Sequence, residues 1–432
     1  MNDTHLIVVL TVFTAGCVVG RWLYRCVLRF PEHYPLKDQL FSLCHEGDCR
    51  SCRSKEAGLQ HLPLISWLLD GRCRKCRRKM DPRRPLMELL TGLLLAWLYW
   101  VEIPDYTDLV VQNSGLWTRE RPPGPEIVNS LWSPLFWLHL RYLVHAVMLC
   151  GLMVATVIDF EQCIIPDGCT VPAMIFAVLL SFAAGQTWIV PLWFQDTSTA
   201  NAIRRFLPEV LQGIIFEWDA VKFAIAHPHW HGLLVSLAGL LAGAGIVWLV
   251  RAIGFWTLKQ EAMGDGDVVL MALIGSVVGW QPVLVVFMMA IILGVIPGLT
   301  MSWLRRDSQG PVHFPFGPWL SLAALLLLLA WQTIWPNAKA MFDFGLVLIL
   351  FGLTGFLGMA VMLRVVYLVK FRLGIAGPQL EAENDWSSAD HLNYYGAERP
   401  DEQTGLWAIP QWPGGRSGRG LKHNHDWRNP NQ

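Results

Sequence analysis

The chain has 432 residues, 53% of them hydrophobic, with 34 basic and 34 acidic residues and a formal net charge of zero. A soluble domain of this size does not carry so much apolar sequence in long uninterrupted blocks, and a neutral chain offers no bulk attraction to nucleic acid. The ten cysteines are not a disulfide framework, because four stand in two CxxC pairs and the others are scattered, several in apolar segments.

The first apolar block covers about residues 5–28. It lacks a basic stretch before it, and Arg21, Arg25 and Arg29 lie at its C-terminal end, so it reads as a retained helix within residues 1–30 rather than a cleaved signal. Residues 31–84 form a polar, basic loop. A second span runs from Leu86 to Val101 after Pro85, and the run Arg121-Pro122-Pro123-Gly124-Pro125 marks residues 102–133 as an inserted loop. A third span, Leu135 to Ile158, closes at Asp159, and a fourth covers Cys169 to Ala184. Residues 185–230 mix Trp, Asp, Pro and His and have room for one or two interfacial helices.

The fifth span is Leu233 to Phe255, the sixth Val268 to Trp280, and the seventh Val283 to Trp303. An eighth, Leu320 to Trp335, ends a core of residues 85–335, and a ninth, Phe344 to Val369, lies in an additional segment, 336–370. Two spans are shorter than the ~20 residues a helix needs to cross a bilayer and must borrow flanking residues. Residues 371–432 are polar and rich in Gly, Pro, Asn and Trp, which predicts a mostly disordered tail. His423 and His425 there read as solvated tail residues before weak metal ligands. The predicted fold is an all-α polytopic membrane protein of eight to nine transmembrane helices with a zinc-binding loop. The 22 tryptophans suit interfacial anchoring as well as packing.

Orientation follows from charge. With the N-terminus outside, loop 31–84 and the Arg305-Arg306 pair fall on the inner side, and the outer loops hold fewer basic residues for their length. That orientation places Asp159 and Asp267 on the same, cytoplasmic side.

Two acid clusters carry the chemistry. Gly264-Asp265-Gly266-Asp267 stands at the mouth of the sixth span, where a carboxylate near hydrocarbon is a functional hypothesis by default. Its bland reading is a solvated turn. The second cluster is Asp159-Phe160-Glu161-Gln162-Cys163-Ile164-Ile165-Pro166-Asp167, joining spans three and four. Asp167 follows a proline before the next helix, so capping is its expected role, with catalysis as the alternative. Asp159 is harder to dismiss, because an acid at a helix C-terminus is opposed by the helix dipole and needs compensation or a task. Two carboxylates brought together share a proton, the basis of aspartyl protease chemistry, with no metal required. Asp159 and Asp267 are 108 positions apart, so only the fold can join them.

Cys49-Arg50-Ser51-Cys52 and Cys73-Arg74-Lys75-Cys76 are separated by 20 residues. Four thiolates from two such knuckles make a closed tetrahedral Zn²⁺ site, which is structural. Cys44 is an alternative ligand to Cys49, and four free thiols are the alternative to a metal site.

These residues together resemble the type IV prepilin peptidases. The resemblance rests on Asp159 in its Ile-Asp-x-x-x-x-x-Ile-Pro-Asp context, the GxGD motif at 264–267 and the two CxxC pairs. Pro85-Leu86-Met87-Glu88-Leu89-Leu90 and Pro315-Phe316-Gly317-Pro318 also match. It covers about residues 5–335 and implies an inner-membrane endopeptidase that cleaves the basic leader of prepilins or pseudopilins at the cytoplasmic face. It implies Asp159 and Asp267 as the catalytic pair, with Asp265 at the variable position. Gly264 and Gly266 would let the substrate backbone lie close. Enzymes of the family with this loop often also N-methylate the new N-terminus with S-adenosylmethionine. That activity rests on resemblance alone, with Glu88 a candidate contact or else an interfacial acid near Arg83 and Arg84. The long insertions, the ninth span and the tail depart from the family pattern. The rival readings are a transporter or assembly scaffold whose acids bind a cation or proton, a related GxGD protease with other membrane substrates, and a peptidase without methylation.

Overall fold

The computed structural model describes residues 3–32, 36–45, 64, 72, 75–79, 81–103, 134–193, 201–202, 204–205, 208–212, 220–258, 263–304, 315–344, 346–372, 399–400 and 407–408. The chain folds as a bundle of α-helices, as lipid requires of a segment that must satisfy every backbone polar group internally. The main helices are α1 (Asp3–Arg29), α2 (Leu36–His45), α3 (Arg83–Glu102), α4 (Pro134–Gln162), α5 (Asp167–Ala184) and α6 (Pro228–Leu258). After them come α7 (Asp265–Val278), α8 (Trp280–Leu304), α9 (Gly317–Leu329), α10 (Trp331–Ala338) and α11 (Leu346–Arg372).

Among the described residues, six helices are long and apolar enough to cross a membrane, or seven if a bent pair counts as one span. The prediction of eight to nine differs at three places. The sixth expected span is α7, whose 14 residues reach only ~21 Å. The eighth is broken, with Gly317–Leu329 and Trp331–Phe342 meeting at 97°. The apolar part of α11, Leu350–Val366, is shorter than a full crossing. The short second span, by contrast, reaches 20 residues as α3 by taking in Arg83, Arg84 and Glu102.

Helix α7 can be short because protein surrounds it. Leu270, Met271, Leu273, Ile274 and Val278 are fully buried, and the helix packs on α4, α5, α6, α8 and α9. Its tightest neighbour is α6. A Cβ on Gly239 would fall 1.9 Å from the Gly275 carbonyl oxygen, and one on Gly275 would fall 2.0 Å from that of Gly239. Without a hydrophobic drive between helices in lipid, such close backbone approach is what binds them. The Ser236 hydroxyl donates to the Ser276 carbonyl at 2.7 Å and closes the same seam. At Gly279 the chain adopts φ +90° and turns directly into α8. The break after α9 is held by an aromatic stack, Trp331 on Trp335 at 5.0 Å and Trp335 on Phe342 at 5.8 Å.

The end of the bundle away from the acid clusters holds a buried polar group. Glu102, Arg141 and His145 are each 0% exposed. Glu102 contacts His145 Nδ1 and interacts electrostatically with Arg141. Nearby, His5 Nε2 meets the Ile103 carbonyl oxygen at 3.2 Å, and Tyr99 meets His139 at 3.1 Å. Removing one member of a buried charged set strands the others. Glu102→Gln is therefore expected to cost about 3–5 kcal/mol, seen as a clear loss of thermal stability in detergent, with any surviving folded protein still active.

In the 185–230 insertion the structure places Trp188, Ile189 and Val190 in buried, non-helical chain and two short helices, Glu209–Gln212 and Ala220–Ala226. The Trp280 indole donates to the Leu192 carbonyl at 2.6 Å, so part of this insertion folds back on the bundle. Of residues 371–432, only Phe371 and Arg372 at the end of α11 and a two-residue strand pair, Arg399–Pro400 with Trp407–Ala408, are described.

Candidate active site

Asp159 lies in the last turn of α4 and is 4% exposed. Its own helix dipole opposes an acid there, and the compensation comes from another helix. Asp159 Oδ2 accepts the Gly317 backbone N–H at 3.0 Å. Gly317 is the first residue of α9, with Phe316 as its cap and Pro318 behind it. The carboxylate thus occupies the positive end of α9, an anion site made from unpaired N–H groups. A Cβ on Gly317 would stand 2.7 Å from Asp159 Oδ2 and 2.9 Å from Ile165 Cδ1.

Asp267 is held differently. Gly264 caps α7 in an extended conformation, and Asp267, 8% exposed, lies in the first turn. Its carboxylate interacts with the backbone N–H of Gly264, at the position where a capping box places its acid. Asp267 also lies close enough to Asp159 to interact with it electrostatically. The structure therefore brings these two residues together at one end of the bundle.

Gly264 and Gly266 serve the site in distinct ways. Gly264 is the helix cap. Gly266 lies against Ile165, where an added Cβ would fall 2.8 Å from the Ile165 Cβ. Ile165, 7% exposed, touches the space left by both Gly266 and Gly317 and so sits as a plug beside the acids. Sequence reading assigned no role to Ile165; its place inside the Ile-Pro-Asp context was the available signal.

The other acids separate cleanly. Asp265 forms an ion pair with Arg251 of α6, and its side chain is 52% exposed. Asp167 is not the cap expected of it. Pro166 occupies the cap position and Asp167 is the first helical residue, with no side-chain capping bond. The cap is supplied by Gln39 of α2, whose Oε1 accepts the Gly168 N–H at 2.7 Å from 129 positions away. Proline cannot offer a side-chain acceptor, so a distant residue fills the place. Gln39 is 0% exposed, and sequence reasoning missed it because nothing local marks it.

Of the cysteine loop, Cys49, Cys52 and Cys73 lie outside the described residues. Cys76 is half-buried in a turn, followed by Arg77 at φ +54° and flanked by a bridge between Arg72 and Lys79. Among the described residues no group of three or more metal-ligating side chains gathers. Glu88, 1% exposed, pairs with Arg84 at 3.3 Å and accepts the Leu64 N–H at 2.6 Å. It thus ties the loop to α3, nearer to the interfacial-acid reading than to a free contact.

A helical membrane bundle in which a Gly-x-Gly-Asp helix start faces a second buried aspartate has the architecture of a GxGD membrane aspartyl peptidase. Two family models match the chain: Bacterial Peptidase A24 N-terminal domain over residues 14–102, and Type IV leader peptidase family over residues 204–299. These matches, with the relatives below, support the type IV prepilin peptidase family for this chain. Asp267 lies inside the second match and Asp159 between the two.

Among its relatives is the "Prepilin leader peptidase/N-methyltransferase" of Aeromonas salmonicida (strain A449), 27% identical over 312 residues, covering 71% of this chain and 79% of the relative. The protein of the same name from Pseudomonas putida is 24% identical over 368 residues, 80% of this chain and 97% of the relative. That of Neisseria gonorrhoeae is 24% identical over 339 residues, 74% and 90% respectively. No solved structure matches the chain.

Proposed function

We propose that this protein is a membrane aspartyl endopeptidase that removes the leader of prepilins or pseudopilins, with Asp159 and Asp267 as the catalytic pair. The observation that carries the reading is the apposition of two buried carboxylates from helices α4 and α7, Asp159 held by the Gly317 N–H and Asp267 beside the Gly264 N–H. In the proposed mechanism one carboxylate, ionised, takes a proton from water as it attacks the scissile carbonyl. The other, protonated, donates to the carbonyl oxygen. Collapse of the tetrahedral intermediate delivers a proton to the leaving nitrogen and frees a new N-terminus. The Gly317 and Gly264 N–H groups orient the outer oxygens, so neither acid must reorganise during reaction. Substrate backbone reaches Gly266 by displacing Ile165, which makes Ile165 a gate in this proposal.

The basic 31–84 loop supports an inner-membrane orientation with the acids at the cytoplasmic face. The family names of the relatives extend the reading to methylation of the new N-terminus with S-adenosylmethionine. Cys49, Cys52, Cys73 and Cys76 are proposed as a structural Zn²⁺ site. The Cys76–Arg77 turn and the Arg72–Lys79 bridge fit a metal knuckle, in which a left-handed residue follows the second cysteine. The metal would supply folding energy to a loop otherwise too polar to hold shape. Elemental analysis of purified protein is expected to find about one zinc per chain and a large loss of it in Cys76→Ser. Wild-type protein free of zinc would remove the metal from this account.

The deciding experiment is incubation of purified protein in detergent with a prepilin, followed by mass spectrometry of the product. Expected is a single cut before the hydrophobic segment, with a methyl increment on the new N-terminus when S-adenosylmethionine is present. Failure to cut any of several prepilins would overturn the peptidase reading.

A further inference from the structure

A second polar site lies on the other side of α4 from the aspartates. A cavity of about 110 Å³ opens between the C-terminal end of α1, the start of α3 and the last turn of α4. Its walls include Tyr24, Leu28, Arg29, Glu32, Arg83 and Glu161. Two Arg–Glu pairs frame it: Arg29 with Glu32 at 3.9 Å, and Arg83 with Glu161. Tyr24, 6% exposed, and Arg29, 8% exposed, form the inner wall.

Two cations and two anions around one small space are complementary to a ligand that carries both charges. A simple anion would face Glu32 and Glu161, and a simple cation would face Arg29 and Arg83. An α-amino acid headgroup meets both demands at once, its carboxylate toward a guanidinium and its ammonium toward a carboxylate. The volume suits such a headgroup and not a whole nucleoside, with an aromatic ring and the Leu28 side chain beside it.

We propose that this cavity binds the aminocarboxylate end of S-adenosylmethionine and makes it the methyl-donor site. The assignment rests on the methylation reading above. Glu161 follows Asp159 by two positions on α4, which places their side chains on nearly opposite faces of the helix. The two sites are thus about one helix diameter apart, ~10 Å. That separation suits two consecutive reactions on a substrate anchored by its membrane helix. Before cleavage the nitrogen to be methylated is a peptide amide without a nucleophilic lone pair. After cleavage the free amine forms an N–C bond to the methyl carbon and the C–S bond breaks. The sulfonium becomes a thioether, and the ammonium proton leaves to water. Cleavage therefore precedes methylation, and blocking this cavity leaves cleavage intact.

The test uses full-length protein in lipid nanodiscs with and without phosphatidylethanolamine, whose headgroup also carries both charges. Binding of S-adenosylhomocysteine is measured by equilibrium dialysis, and the same samples are assayed for prepilin cleavage and product mass. Arg29→Gln and Glu161→Gln are each expected to weaken binding roughly 10-fold or more, and Leu28→Trp to block it by filling the cavity. All three should cut the prepilin within about twofold of wild type and yield unmethylated product. Wild-type binding with all three variants binding equally well would overturn the cavity while sparing methylation. Variants that keep S-adenosylhomocysteine but lose co-purifying phosphatidylethanolamine would assign the space to lipid and overturn it too. Wild-type protein that cuts but neither binds S-adenosylhomocysteine nor methylates would sink the methylation reading, and the cavity assignment with it.

Discussion

Asp159→Asn and Asp267→Asn each abolish leader cleavage, lowering the rate by at least ~10³-fold, the range expected for loss of general acid–base catalysis. The protein stays folded in both variants. Asparagine keeps a carbonyl oxygen where Asp159 Oδ2 accepts the Gly317 N–H, so the start of α9 remains satisfied. It likewise keeps an acceptor for the Gly264 N–H at position 267. What asparagine cannot do is give or take a proton, so the variants separate chemistry from architecture. The double variant should be no worse than either single one, because groups acting as a unit are not additive. Asp265→Asn is the control: that acid is half-exposed and paired with Arg251, and its loss should change the rate only a few-fold. The measurement is initial cleavage rate on a purified prepilin, with helicity followed by circular dichroism. Wild-type-like cleavage by Asp267→Asn would remove it from the catalytic pair.

Gly317→Ala has the next largest effect, about 10²-fold on cleavage, though residue 317 performs no chemistry. Its new methyl group would meet Asp159 Oδ2 at 2.7 Å and Ile165 Cδ1 at 2.9 Å, closer than either contact can stand. Asp159 must withdraw or α9 must shift, and a displacement of about 1 Å at a reacting group costs on the order of 10²-fold. Gly266→Ala acts on the same corner through Ile165, at 2.8 Å. Gly294→Ala is the control, since its nearest neighbour would be Phe316 at 3.5 Å, an ordinary contact. Comparing kcat with thermal stability across the three variants distinguishes a misplaced carboxylate from a merely looser bundle. If Gly317→Ala cuts at the wild-type rate, Asp159 is not held by α9 in the working enzyme.

Much of this arrangement is legible in the chain because lipid imposes strong local rules. Apolar blocks become helices, and each expected span corresponds to a helix in the bundle. The lengths are less legible. α7 escapes the need to cross because other helices, not lipid, cover its sides, and the eighth span breaks at 97° because Trp331, Trp335 and Phe342 stack there. Both are consequences of neighbours that a hydropathy pattern does not contain.

The candidate site divides in the same way. Residue types and spacing alone single out Asp159 and Gly264-Asp265-Gly266-Asp267, because carboxylates at the ends of apolar helices have few innocent explanations. They also single out the paired cysteines as a metal-binding pattern. Sequence alone does not determine which partner answers each charge, since those partners are far away along the chain. The anion site for Asp159 lies 158 positions on, at Gly317, and the cap of α5 lies 129 positions back, at Gln39. Asp265 and Asp267, two positions apart, are divided by helix geometry, one turned to Arg251 and the other inward. Composition and periodicity determined that this protein is a helical membrane bundle with acids at one end. Tertiary structure decided that two of those acids meet, because only packing can bring backbone N–H groups from separate helices to the same pair of carboxylates.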